Sequence, residues 1–180
     1  MPGHVILSHG SDSGPGATKV SALAELAEAM GWVTTRPDYR EDDKRGYAGS
    51  VAPRIARLHA HIQALKAPPV LVGSSMGAFV SGLVSLDVPV AGLFLLATPA
   101  LIPGYEKAFD LRKQVPTLLM HGQQDEICPI EQIEAFAGKR SLPLLVLHDD
   151  HRLTASMESI GQQFRLFLDL VINHRQATAQ

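Results

Sequence analysis

The sequence predicts an α/β fold: a three-layer α/β/α sandwich around a mostly parallel sheet of about six strands. Three observations carry this. Short apolar runs of strand length recur along the chain, and stretches with helical spacing separate them. Most of the runs are apolar without interruption rather than alternating, which is how strands buried on both faces read.

In chain order, the strand runs are Val5–Ser8, Val33–Arg36, Val70–Gly73, Val90–Ala97, Val115–His121 and Leu144–Leu147. Between the first two, Leu23, Leu26, Ala27 and Met30 share one helix face, and Gly31 stands where that helix should stop. Val51, Ile55, Leu58, Ile62 and Leu65 step by fours and threes, forming a second helical stripe. Phe79, Leu83 and Leu86 give a third helix after the third strand. Pro129 opens a fourth at a position where proline is tolerated. Ile160, Phe164, Phe167, Leu168 and Val171 line one side of a last helix. Right-handed crossovers leave few windings for such a chain.

The 180 residues are read as one domain, 1–180, with 46% hydrophobic and 19% charged residues, far from a disordered composition. Sixteen basic residues against 18 acidic ones give a net charge of −2, and no basic run suggests a nucleic-acid partner. The single cysteine, Cys128, excludes an internal disulfide and paired-cysteine metal sites. Met1–His4 lacks a charged leader region, and Val5–Leu7 is far too short for a signal peptide or membrane span. The expectation is a cytoplasmic protein with no membrane span; the oligomeric state is left open.

In parallel α/β sheets chemistry sits at the carboxyl ends of strands. After the third strand stands Gly73-Ser74-Ser75-Met76-Gly77, a G-x-S-x-G pattern in strand–turn–helix context. A serine on such a turn is lifted clear of the sheet, and the next amide, that of Met76, points into the same space. Taken alone, the pattern is also compatible with an ordinary serine- and glycine-rich turn. A serine hydroxyl needs a base. His151, in His148-Asp149-Asp150-His151 after the last strand, is preferred because it lies far enough past the strand to reach back over the sheet; His148 competes. The acid that would orient the imidazole is Asp125, just past the fifth strand, with Asp110, Asp149 and Asp150 as competitors. The chain order Ser75, Asp125, His151 is the order of the α/β-hydrolase triad. Two amides should meet the negative oxygen of the tetrahedral intermediate: Met76 N–H, and Ser11 N–H in the loop His9-Gly10-Ser11 after the first strand.

With these residues in place, the chain resembles a small, cap-less α/β-hydrolase of the esterase and dienelactone-hydrolase superfamily. His9-Gly10-Ser11, Gly73–Gly77, His121-Gly122 with Asp125 and Pro129, and Asp150-His151 carry the resemblance, over about Val5 to Leu170. It implies the α/β-hydrolase fold without its two leading strands. It also implies an open site, since only a short loop between Thr98 and Val115 stands where larger relatives insert a cap. The function so implied is a serine hydrolase cleaving a small carboxylic ester or thioester through an acyl-enzyme on Ser75, without cofactor or metal. The alternatives are an acyltransferase or peptidase using the same triad, and a catalytically silent binding or regulatory protein. Nucleotide binding is disfavoured, because Gly10 to Gly16 fits neither phosphate-binding glycine pattern and Lys19 is misplaced.

Secondary candidates are weaker. The charged segment 37–45 reads as a solvated loop from which Tyr39 or Arg40 would line the substrate pocket, Arg40 pairing with an anionic group. His9 reads as structural to its loop or as a pocket residue. Thr98 should form one wall of the site. Cys128 reads as a small apolar residue near a helix start. Tyr105 and Phe109 read as core packing or a small flap.

Overall fold

Six strands form one sheet in the order β2-β1-β3-β4-β5-β6, every neighbouring pair parallel. The computed structural model describes residues 2–179. The strands are β1 (His4–Ser8), β2 (Val33–Thr35), β3 (Val70–Ser74), β4 (Gly92–Leu96), β5 (Thr117–Gly122) and β6 (Leu144–Leu147). The helices are α1 (Thr18–Ala29), α2 (Arg40–Asp43), α3 (Gly46–Gln63), α4 (Met76–Asp87), α5 (Ile130–Arg140) and α6 (Met157–Thr178), with one 3-10 turn at Thr154–Ser156.

Side chains alternate across each strand, so successive residues feed two cores. Val5 and Leu7 of β1, Val72 of β3 and Phe94 of β4 join Leu23 and Ala27 of α1 and Phe164 and Leu168 of α6 on one face. Ile6, Leu71, Leu93 and Leu95 join Leu58, Phe79, Val84 and Ile133 on the other, beneath α3, α4 and α5. The faces follow from crossover handedness: α1 carries the chain one way along the sheet and α3 to α5 carry it the other way, so right-handed connections place them on opposite sides. The direction reverses at β1. The crevice between the carboxyl ends of β1 and β3 is therefore the topological switch point, where α/β folds bind ligands.

Two sequence readings are refined. The run at β6 is apolar, but β6 is an edge strand, with Leu145 and Val146 exposed. The charged segment 37–45 is not merely a solvated loop. It contains α2, and two of its carboxylates turn inward: Asp43 to the buried Arg54 (2.6 Å) and Asp42 to Arg57 (2.7 Å). The Gly31 stop is present. Gly31 sits at φ +85°, and the amides of Gly31 and Trp32 close onto Glu28 and Ala27 of α1. Residues 97–116, between β4 and β5, carry only bends and turns. Phe109 from this segment packs on Phe79 and Phe136, so it belongs to the core rather than to a flap. Among the described residues, no helix is long and apolar enough to cross a membrane.

Candidate active site

Ser75 sits between β3 and α4 with φ +55° and ψ −117°, a conformation that non-glycine residues rarely hold. Its amide donates to Leu96 O of β4 (2.9 Å), and its carbonyl accepts from Ala78 and Phe79 of α4. The flanking glycines make the turn possible. A Cβ on Gly73 would stand 2.5 Å from Ala78 N; one on Gly77 would run into the Ser8 carbonyl and stand 2.8 Å from His9 O. Helix α4 therefore rests directly on the end of β1. Gly77→Ala is expected to destabilise the fold by at least the about 1–3 kcal/mol typical of overpacking, because the obstacle is backbone that cannot rotate away. Thermal or urea unfolding measures this.

His151 joins Ser75 to Asp125. Its Nδ1–H donates to Asp125 Oδ2 (2.7 Å), which leaves Nε2 bare to accept the Ser75 Oγ proton at 3.0 Å. Asp125 is buried, and its other oxygen accepts from the amides of Ile127 (2.9 Å) and Cys128 (2.7 Å). Both oxygens of this carboxylate are thus engaged and its orientation is set. The acid loop and the histidine loop meet because residue 122 has no side chain: a Cβ there would lie 2.6 Å from Asp150 O. Gln123 and Gln124 amides then donate to the carbonyls of Leu147 and Asp149. Lys19 Nζ caps the Arg152 carbonyl (2.7 Å). That lysine, of no use to a phosphate loop, steadies the segment that bears His151.

The competing acids and base are engaged elsewhere. Asp110 pairs with Arg140, and Asp149 accepts from Ser156 Oγ (2.8 Å). Asp150 accepts from the Arg152 amide (2.9 Å), and exposed His148 bonds Gln124 (2.9 Å). His121 is fully buried, and its Nε2–H donates to Cys128 O (2.7 Å).

Among the described residues, neither of the two expected donor amides has a backbone acceptor. Met76 is the first residue of α4, so its N–H has no partner inside the helix, and the helix dipole adds positive character there. Ser11 N–H donates to no carbonyl among the described residues. The Ser11 loop lies against the elbow: a Cβ on Gly10 would contact Ser74 O and Ser75 Cβ at 3.4 and 3.5 Å.

The expected pocket residues are corrected. Tyr39 is fully buried; its hydroxyl bonds Ser8 Oγ (2.8 Å), and desolvation pushes its phenol well above the ordinary value. Arg40 is exposed and forked onto Asp38 at 2.6 Å, its charge already paired, and its chain lies against Gly14 of the loop after β1. Thr98 is 2% exposed and offers almost no surface to a substrate. His9 is fully buried and structural. Its Nε2 accepts from Tyr39 N–H (3.0 Å), so the proton is on Nδ1 and goes to Gly10 O (2.7 Å); burial lowers its pKa and keeps it neutral.

One cluster has the residue types of a metal site: ligand atoms of Asp125, Cys128 and His151 lie within 4.8 Å of one another. The donor set fits poorly. Asp125 and His151 are already bonded to each other, and burial, with the Asp125 charge, pushes the Cys128 thiol up to about 12, far from the thiolate a metal needs.

Sequence reasoning missed Arg54, which is fully buried and bonds the His9 and Gly10 carbonyls. A signal was present. Residue 54 lies three after Val51 and four before Leu58, on the buried stripe of α3, where an arginine needs a partner.

Comparison with known proteins agrees with this architecture. A family model described as an alpha/beta hydrolase domain matches residues 2–178. An alpha/beta-superfamily protein from Xanthomonas campestris pv. campestris is 40% identical, with 95% of this chain and 99% of that one covered and a TM-score of 0.86. An alpha-beta serine hydrolase homologue from Coxiella burnetii is 24% identical over 91% of this chain and 84% of that one, with a TM-score of 0.71. A serine hydrolase without lid from Xanthomonas campestris shares the fold at 17% identity, covering 93% and 81%, with a TM-score of 0.75. No curated protein matches the sequence. The breadth of the family match and the identity to the first of these structures place the chain in the alpha/beta hydrolase domain family.

Proposed function

We propose that the protein is a serine esterase or thioesterase acting on small acyl substrates in an open site. The observation that carries this reading is the relay of two hydrogen bonds from Asp125 through His151 to Ser75, 2.7 and 3.0 Å long. Ser75 Oγ attacks the substrate carbonyl as its proton passes to His151 Nε2. Asp125 holds the Nδ1–H tautomer and stabilises the imidazolium. The oxyanion faces the Met76 and Ser11 amides, each such donor worth roughly 3–4 kcal/mol of barrier. His151 then protonates the leaving alcohol or thiol, and water, activated by the same imidazole, releases the acid and regenerates Ser75.

The short 97–116 segment supports small substrates, since nothing there forms a lid over a long acyl chain. A cavity of about 140 Å³ adjoins the Ser11 loop, lined by Ser11, Asp12, Asp43, Gly46, Tyr47 and Ser50. It suits a small polar group better than an alkyl tail.

The test is a panel of p-nitrophenyl esters and acyl thioesters. Turnover is expected for short chains and falls as the chain lengthens. No turnover of either class, or a rate that rises with chain length, contradicts the reading.

A further inference from the structure

We propose that Arg54, held by Asp43, is a positioning residue that aims the Ser11 amide of the oxyanion hole. The inference rests on the esterase reading and assigns a task to a buried charge outside the Ser75–His151–Asp125 relay. Arg54 Nη2 donates to Gly10 O (3.0 Å) and Nη1 donates to His9 O (2.7 Å). His9 Nδ1–H donates to the same Gly10 oxygen at 2.7 Å. The Gly10–Ser11 peptide is planar and trans, so its N–H points opposite to its C=O. Arg54, on α3, draws the carbonyl toward that helix and His9 holds the same oxygen, which turns the Ser11 N–H away from α3 and toward the crevice at Ser75.

Several neighbours hold Arg54 in this pose. Asp43 takes Nε and Nη2 in a fork, both at 2.6 Å, and the Tyr39 ring lies 4.6 Å from the guanidinium carbon. Tyr39 in turn donates its amide to His9 Nε2. A fully buried guanidinium is a costly way to support a surface loop, and a packed apolar residue of similar volume would often serve stability as well. What an apolar residue cannot do is fix the direction of a peptide dipole. Preorganised dipoles are what an oxyanion hole requires.

The test uses Arg54→Lys, whose point charge cannot hold both carbonyls in a fork. A second variant, Arg54→Met with Asp43→Leu, removes both charges so that neither is left unpaired. Each is assayed on a short p-nitrophenyl ester, with active sites counted by fluorophosphonate titration. The expected result is a fall in kcat per titrated site of about 10- to 100-fold with KM little changed, because a misdirected donor is lost only where negative charge develops. Affinity for an arylboronate, which forms an anionic adduct on serine, falls in parallel. Affinity for the neutral product alcohol does not. A merely structural role would lower the number of titratable sites and leave kcat per site and boronate affinity intact; that outcome overturns the proposal. In the wild type, boronate binding should also move the Ser11 amide proton downfield, and an unmoved amide overturns it whether or not the variants fold. Wild type that fluorophosphonate does not label defeats the esterase reading and this inference together. Labelled wild type with unimpaired variants defeats the inference alone.

Discussion

Ser75→Ala abolishes turnover while the protein stays folded. The expected loss in kcat is on the order of 10⁶-fold, since without the nucleophile only binding and the oxyanion amides remain. Folding survives because the Ser75 hydroxyl holds nothing up. Among the described residues its one hydrogen bond is to His151 Nε2, and the turn is held by backbone contacts to Leu96, Ala78 and Phe79. Alanine inherits the same backbone, with φ near +55°, so its melting temperature stays close to that of the wild type. Ser75→Gly separates the two properties further. It is equally inactive, but it relieves a backbone conformation that costs of order 1–3 kcal/mol, so it should melt above Ser75→Ala. Parallel assays and melts of the three proteins read both effects. Residual turnover within tenfold of wild type in either variant would remove Ser75 from the nucleophile's role.

Asp125→Asn lowers kcat by about 10⁴-fold, and the structure gives the reason atom by atom. Asp125 Oδ1 accepts from two backbone amides, Ile127 and Cys128. Those donors demand an oxygen, so the asparagine must place its carbonyl there and its NH₂ toward His151 Nδ1. Facing a donor, the imidazole turns its lone pair to Nδ1 and its proton to Nε2. It then presents a hydrogen to Ser75 and cannot act as base. The variant should fold, because the shape is unchanged and the two backbone bonds persist. Asp150→Asn is the control: among the described residues Asp150 accepts only from the Arg152 amide, and its loss should cost little activity. If the Asp150 variant were the crippled one, the acid would be misassigned. A neutral-pH proton spectrum of Asp125→Asn should also lack any strongly downfield Nδ1 proton present in the wild type.

Much of this arrangement was legible in the sequence, for a physical reason. Central strands of a parallel sheet are buried on both faces, so β1, β3, β4 and β5 betray themselves as unbroken apolar runs with chemistry at their ends. Ser75, Asp125 and His151 each follow a strand, and the structure brings the three together. Strand ends were less legible. β4 starts at Gly92 rather than Val90 and β5 at Thr117 rather than Val115, because Val90 and Val115 pack as apolar residues without pairing in the sheet. Side-chain direction within the charged 37–45 segment was not legible at all. Tyr39 and Arg40 are adjacent, yet one turns into the core against Ser8 and the other to solvent with Asp38. Nothing in a run of charges tells that Asp43 is the residue a buried arginine eleven positions later will recruit. Arg54 itself sat in plain view on the α3 stripe, but a search for apolar spacing passes over a polar residue on the buried face. Gly122 carried a similar hidden constraint: the need for glycine there exists only once residues 149–150 arrive against it.

The central claim is that Ser75 is an activated nucleophile. Labelling wild type and Ser75→Ala with a fluorophosphonate, then measuring intact mass and mapping the modified peptide, tests it most directly. A single adduct on Ser75 in the wild type, absent from the variant, is the predicted result. A folded wild-type protein that takes up no adduct, or takes it up equally in Ser75→Ala, would contradict the account and return the chain to the class of α/β-hydrolase folds that bind without catalysing.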